Sequence, residues 1–408
     1  MKDVDIVREL AKEYAEFALA DLNKDKMRLM RAVNGLKPMR PAVYIDELPW
    51  HEMNINGELD THCATEPCQG YERQLRRDIF RHKHFPADAV FAPHIPVWKA
   101  VHSTGNGMRV VENVLAIDAK NHIIAHHYHD QLATEEDLAK LKIPVITHDE
   151  AETARRLALA EEIFDGILPA RVCGAGISFN PWDDISRYRG VDALLMDLAE
   201  RPEFMHKIMG RLLEIAEAVV AQYEALNLLQ PNALTVHCTA GLCDELERPG
   251  NAKITAKDVW GRGTAQVFGS VSPDMHDEFD IAYQARFMKK FGLVYYGCCE
   301  PLHDRIDKVA KIPNLRKISI TPWAKVQPAA EAIGKKYVFA SKPNPAFVAE
   351  ERFDKERVRN EIREVLGACA KNGCACEFVL KDISTCGYKP GNIFQWEKTV
   401  METVLNDS

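Results

Sequence analysis

The chain has 408 residues, 46% of them hydrophobic and 27% charged, which is an ordinary globular composition. Its 52 basic and 60 acidic residues are interspersed and sum to a formal charge of −8, with no basic stripe to suggest nucleic acid as a partner. No run of about 18 apolar residues occurs, so no membrane span is expected. The charged opening Lys2-Asp3-Val4-Asp5-Ile6-Val7-Arg8 lacks the apolar centre of a signal peptide, and a cytoplasmic location is the expectation. Eleven cysteines, an odd number without an export signal, do not read as a disulfide framework.

Helical spacing opens the chain at Ile6, Leu10, Tyr14, Phe17, Ala18 and Leu22 and stops at Gly35 and Pro38, giving a helical cap over residues 1–40. Beyond it, strand-like runs are expected at Ala42–Glu47, Ala89–Ile95, Ile167–Ile177, Ala233–His237 and Ala265–Val271. Four more follow at Leu293–Tyr296, Arg316–Thr321, Tyr337–Ala340 and Glu377–Leu380. Amphipathic stretches separate most of them, among them Pro202–Leu226, Phe279–Phe291, Leu302–Lys311 and Lys355–Lys371. Such alternation predicts a parallel sheet with crossover helices, and about eight units predict closure into a (β/α)8 TIM-type barrel. Residues 107–129 break the pattern as a β-hairpin excursion around Ala119-Lys120-Asn121. No linker marks a boundary, so residues 1–408 read as one domain.

In such a barrel the chemistry sits at the C-terminal ends of the strands. Those ends carry Asp46-Glu47, with Trp50 and His51 beyond; His94, with Trp98 beyond; His237-Cys238; Cys298-Cys299-Glu300; Lys342-Pro343-Asn344-Pro345; and Ser384-Thr385-Cys386-Gly387. Thiolate and imidazole donors favour zinc, and a catalytic zinc keeps three protein ligands and one open position. His237, one of the 298/299 pair and Cys386 meet that count. Neighbouring residues on a regular strand face opposite sides, so a single member of the pair is expected to bind. Cys299 is favoured, with Cys298 as the alternative. Packing behind the sheet is the plainer reading of any free cysteine. Cys374 and Cys376, at the start of a strand, read as structural. Cys63 and Cys68 are weak metal candidates, and His126-His127-Tyr128-His129 fits a solvated strand.

Four segments resemble the uroporphyrinogen decarboxylase superfamily over roughly residues 85–404. They are Arg189-Gly190 through Leu198-Ala199-Glu200-Arg201-Pro202-Glu203-Phe204-Met205-His206; Ser272-Pro273-Asp274 leading to Phe279 and Tyr283; Tyr295-Tyr296-Gly297-Cys298-Cys299-Glu300-Pro301-Leu302; and Cys386-Gly387 with Pro390-Gly391-Asn392-Ile393. Lys342-Pro343-Asn344-Pro345 is similar to a Gly-Asn-x-x-Pro turn of the family with its glycine altered. The resemblance implies a (β/α)8 barrel. The decarboxylase branch carries an arginine-rich N-terminal segment, whereas Met39–Glu47 here is acidic and aromatic, which argues against porphyrinogen decarboxylation. The methyltransferase branch binds zinc through His-x-Cys on one strand and a cysteine after the last. Cys386 matches the last cysteine and Cys299 or Cys298 the first. Glycine or tyrosine replaces the histidine of the pair, so His237 is the expected substitute, with Glu300 and His303 in reserve.

The resemblance therefore implies a zinc-dependent methyltransferase. The expected reaction moves a methyl group from a small, aromatic O-methyl donor to the cobalt of a separate corrinoid (cobalamin) protein. No Asp-x-His-x-x-Gly corrinoid segment lies in the chain. Methyl transfer from a corrinoid to a thiol, and a zinc lyase or decarboxylase on the same barrel, are the alternatives. Trp50, Trp98, Phe179, Trp182, Tyr296 and Trp323 fall near expected strand ends, where rings wall pockets or simply pack under loops. Glu47, His94 and Asp382 are the candidate proton donors for a leaving oxygen. The oligomeric state stays open, a homodimer included.

Overall fold

The computed structural model describes residues 2–37, 39–115, 124–249 and 252–407. Short apolar, β-branched and aromatic runs supply most of the strands: β1 (Ala42–Ile45), β2 (Ile95–Trp98), β3 (Ala100–Ser103), β4 (Glu112–Leu115) and β5 (Ala125–Tyr128). Next come β6 (Ile146–Asp149), β7 (Ala170–Cys173), β8 (Ile177–Phe179), β9 (Thr235–Val236) and β10 (Thr239–Ala240). Last are β11 (Trp260–Gly263), β12 (Leu293–Tyr296), β13 (Leu315–Ile320), β14 (Val338–Ser341) and β15 (Ala375–Leu380).

Seven strands form one parallel sheet in the order β1-β15-β14-β13-β12-β11-β8. Upstream of β8, the same stretch of chain pairs in parallel as β7 with β2. The closed barrel expected from the sequence is not shown among the described residues. The hydrogen-bond ladder is open between β1 and β2, so what the structure shows is a mixed α/β fold on a central parallel sheet. At the open seam Asp88 stands in for a strand. Its N–H donates to Val43 O (3.0 Å), its carboxylate accepts from Val43 N (2.8 Å), and Arg40 grips both carboxylate oxygens. A carboxylate buried to 1% exposure and held this way is costly to lose. Asp88→Ala is expected to cost about 3 kcal/mol in urea unfolding.

Side chains alternate across the sheet. One face, including Val43, Ile45, Val294, Tyr296, Ile318, Ile320, Phe339, Phe378 and Leu380, joins the main core under helices 355–372 and 391–407, through Ile362, Val365, Trp396 and Val400. On the concave face, Tyr44 and Val379 pack on Cys238, Ala240 and Leu242, while Trp260, Leu293, Tyr295 and Ala340 pack on Val236, Cys243 and Leu246. The antiparallel β9–β10 hairpin therefore fills the concave side. Trp260 Nε1 donates to Gly241 O (2.7 Å), and the fully buried Lys317 donates to Ala240 O (3.1 Å), Thr239 Oγ1 (3.2 Å) and Glu377 (2.9 Å).

Several expectations shift. The helical cap is two helices, Asp3–Ala18 and Asp21–Asn34, with Pro38 outside the described residues. The strand expected at Ala89–Ile95 starts only at Ile95, because Asn23 of the second helix, not a neighbouring strand, accepts the Phe91 N–H (3.0 Å). Ile167–Ile177 is broken at Gly174, whose N–H goes to Gln230 (2.7 Å). Ala265–Val271 is a 3-10 turn, and the strand lies earlier, at β11. The excursion at 107–129 holds the exposed pair β4–β5, with its turn at Ala119-Lys120-Asn121 outside the described residues. On it, His126 pairs with Glu112 (2.8 Å), as a solvated strand would. Among the described residues no helix is long and apolar enough to cross a membrane.

Candidate active site

The C-terminal ends of β1, β12, β14 and β15 deliver Glu47, Cys298 with Cys299, Lys342, and Lys381 with Asp382 to one mouth. His237 arrives differently. It is the first of two residues turning β9 into β10, and its φ of +52° is the left-handed geometry such tight turns use. Glu47 (φ +52°) and Asp382 (φ +56°) are also left-handed, so three non-glycine residues in one cluster hold a backbone that costs about 1 kcal/mol or more apiece. Seven other described non-glycine residues share this conformation, among them Leu36, Asn56, Asn227 and Asn314, so the strain accompanies the cluster without defining it.

Cys298 Sγ lies at the centre, 3.6 Å from His237 Nε2, 3.7 Å from Cys299 Sγ and 3.0 Å from Lys381 Nζ. Cys299 donates to Asp382 Oδ2 (3.4 Å), and Lys381 also reaches Asp382 (3.0 Å) and Glu47 (3.5 Å). Glu47 Oε2 accepts the Asp382 N–H (3.2 Å). The hydrogen bond from Cys299 leads the forces that hold the Cys298 thiol well below its usual value; His237 and Lys381 add to it, and together they outweigh burial. Cys299 correspondingly keeps its proton, held up by its bond to Cys298. Burial pushes Glu47 up. Burial also acts to raise Asp382, but Lys381 prevails and holds it down.

Both cysteines face the mouth, unlike the single face expected of a strand. The cause is local: β12 ends at Tyr296, and Gly297 (φ +98°) turns the chain so that residues 298 and 299 lie beyond the pleat. A side chain at Gly297 would also meet Leu302 Cδ1 at 2.8 Å. Glu300, fully buried, fixes the bend by accepting from Cys298 N (2.9 Å), Ala265 N (3.0 Å) and Thr264 Oγ1 (2.8 Å). It is a positioning residue there, not a free ligand.

Other expected site residues lie elsewhere. Cys386 is buried in the main core, its N–H held by Glu52 (2.6 Å), and among the described residues no hydrogen bond links it to Cys298 or Cys299. His94 precedes β2, at the opposite end of the strand from the one expected, and Arg171 is its charged neighbour. His303 has a buried Nδ1 without a partner among the described residues. Trp50 packs edge-on against Phe80 under Arg77, and Trp182 packs at a tilt against Phe268 in a separate core. Tyr296 points to the convex side, where its hydroxyl donates to Asp280 (2.5 Å) and meets His276 (2.6 Å). Phe179 is core, and Trp98 and Trp323 are 59% and 68% exposed. Of the expected aromatic residues, Trp50, Trp182, Phe179 and Tyr296 are thus packed into cores, while Trp98 closes β2 and Trp323 follows β13 as exposed rings. Cys63 and Cys68 pack in the N-terminal core, and Cys374 and Cys376 belong to the main core.

The sequence reading missed Lys381, Arg262 and Asp183, and placed Lys342 at a strand end without giving it a role. Asp183 follows β8, accepts from Gln266 (3.2 Å), and is pushed up to about 6 by burial, with Arg262 pulling the other way. A buried acid holds its proton more tightly folded than unfolded, so its unfavourable contribution grows as pH rises from about 4 to about 6 and is complete above that. Asp183→Asn should therefore match the parent Tm near pH 4 and exceed it by roughly 1–3 °C near pH 7.5.

The donors were tested against zinc geometry. A tetrahedral ion with Zn–S of about 2.3 Å and Zn–N of about 2.1 Å separates S···S by about 3.8 Å and S···N by about 3.6 Å. The Cys298–Cys299 and Cys298–His237 separations of 3.7 and 3.6 Å match those edges. Among the described residues no three His, Cys, Asp or Glu side chains already converge on one point, so capture requires rotation of a side chain within the cluster.

No family model matches the chain, and no curated protein matches it. Among solved structures it is similar to a methyltransferase from Methanosarcina mazei, with a TM-score of 0.47 and 12% identity over 93% of this chain and 98% of that one. Likeness at this level assigns no activity.

Proposed function

We propose that the chain is a zinc-dependent methyltransferase whose metal is held by His237, Cys298 and Cys299 at the mouth of a barrel completed across the β1–β2 seam. The supporting observation is Cys298 Sγ, placed at tetrahedral-edge distances from both an imidazole nitrogen and a second sulfur. Bound zinc would act as a Lewis acid toward the oxygen of a methylated donor, or would hold a thiol acceptor as its thiolate. The cobalt of a separate corrinoid protein takes up or supplies the methyl group.

The chain's own groups have defined parts. Lys381 balances the negative charge of Cys298 through an N–H···S contact and keeps Asp382 ionised. Asp382 accepts from Cys299, so proton loss from that thiol has a nearby carboxylate to receive it. Glu47, raised by burial, is placed to hold a proton at the rim for a leaving oxygen. His94, at the wrong end of its strand, has no such part.

The 3.0 Å contact of Lys381 with Cys298 also favours a second reading, in which a metal-free Cys298 thiolate is itself the nucleophile. One experiment separates them. Purified chain is assayed for zinc and mixed with a reduced corrinoid protein and a methoxylated donor, with and without a chelator. Stoichiometric zinc and a chelator-sensitive change in the cobalt spectrum support the proposal; a change driven only by added thiol selects the acceptor-side reaction. Activity untouched by complete zinc removal selects the thiolate nucleophile.

A further inference from the structure

Five cationic side chains are buried in the described structure: Arg262, Arg305, Lys317, Lys342 and Lys381. Three of them have carboxylates, with Lys317 on Glu377 (2.9 Å), Arg305 on Asp304 (2.9 Å) and Lys381 on Asp382 (3.0 Å). The half-buried Arg40 and Arg76 are paired in the same way. Burying a cation without an anion is unfavourable, and among the five it is avoided for all but Arg262 and Lys342.

Arg262, 5% exposed, makes no ion pair, and its Nε has no hydrogen-bond partner among the described residues. It lies on β11 in register with Ser178 and Tyr295. Trp260, two residues earlier on the same face, packs into the concave side, so Arg262 stands one layer nearer the mouth. The adjacent carboxylates are engaged. Asp183 is turned to Gln266, and Glu300 is used by Thr264, Ala265 and Cys298. Lys342, 4% exposed, has only the Cys238 thiol at 3.7 Å and lies over the Tyr295 ring at 5.5 Å. The mouth thus holds two buried cations that form no ion pair, with Asp183 near Arg262 but hydrogen-bonded to Gln266.

We propose that Arg262 is the anchor for an oxyanion carried by the methylated substrate, with Lys342 adding positive potential. The planar guanidinium presents parallel N–H donors that match a carboxylate in two hydrogen bonds. The inference rests on reading the mouth as the reaction site, and it replaces an aromatic methyl ether with a small methylated acid.

The test is binding, read by NMR titration on the full chain without corrinoid partner or turnover, so it stands apart from whether methyl transfer occurs. The probes are methoxyacetate, methyl phosphate and the neutral isostere 2-methoxyethanol. The unmodified chain should bind at least one of the acids about tenfold or more tighter than the alcohol, because a site built around a buried charge rejects an uncharged analogue. Arg262→Met should reduce that preference to about twofold or less, and Arg262→Lys should keep part of it. Equal binding of acids and alcohol by the unmodified chain overturns the proposal. So does an acid preference that survives in Arg262→Met. Should Arg262→Met fail to fold, the acid-to-alcohol ratio of the unmodified chain and the Arg262→Lys variant decide the question.

Discussion

Cys298→Ala is expected to weaken zinc binding at least about 100-fold and to abolish methyl transfer, because the change removes the one sulfur that touches both other donors. Removing a group that only orients a metal ligand commonly costs about 10–100-fold, and Cys298 is itself a proposed ligand. Cys386→Ala is the contrasting variant. That thiol is fully buried in the main core beside Glu52, so its loss should lower stability by about 1–2 kcal/mol through lost packing and leave zinc content intact. Elemental analysis of both variants beside the parent checks the pair. Zinc retained by Cys298→Ala and lost by Cys386→Ala would return the assignment to the arrangement the family resemblance implied.

The second large effect lies under the mouth. Lys317 and Glu377 are both fully buried, joined at 2.9 Å, and tied to the β9–β10 hairpin through Thr239 and Ala240. Lys317→Met strands a buried carboxylate, and urea unfolding should show a loss of about 3–5 kcal/mol. The double variant Lys317→Met with Glu377→Met removes both charges and should lie within about 1–2 kcal/mol of the parent. Equal losses in the single and double variants would mean that the pair matters through packing alone. Since this pair anchors the hairpin whose tip is His237, the single variant should also weaken zinc binding.

Comparing these residues with the sequence shows where pattern reading succeeds. β12 and β14 are short apolar and aromatic runs, and β13 and β15 keep β-branched or aromatic residues on the face toward the main core, which left them legible as strands. β11 reads Trp-Gly-Arg-Gly, a turn by composition. Its glycines are required by what lies against them: a side chain at Gly261 would meet Met288 Sδ and Phe291 at 2.8 Å, and one at Gly263 would meet Gln284 Oε1 at 2.4 Å. Tertiary packing there overrides local propensity, and a single sequence carries no trace of the neighbour.

The site follows the same division. His237, Cys298 and Cys299 were visible as metal-ligand residue types near strand ends, although His237 comes from a hairpin tip and not from a strand of the sheet. Lys381 and Arg262 were invisible, and Lys342 was seen at a strand end but given no role, because most lysines and arginines lie on the surface and nothing local marks the few that are buried. The tryptophans misled for the opposite reason. Large rings pack wherever they find apolar neighbours, and Trp182 finds Phe268 in a core of its own.

Zinc-edge X-ray absorption on the purified protein tests the central assignment most directly. The account predicts about one zinc per chain with two sulfurs at about 2.3 Å and the remaining scatterers at about 2.0–2.1 Å, and a single sulfur in Cys298→Ala if any zinc remains. A shell of nitrogen and oxygen only, or a two-sulfur shell unchanged in Cys298→Ala, would contradict it.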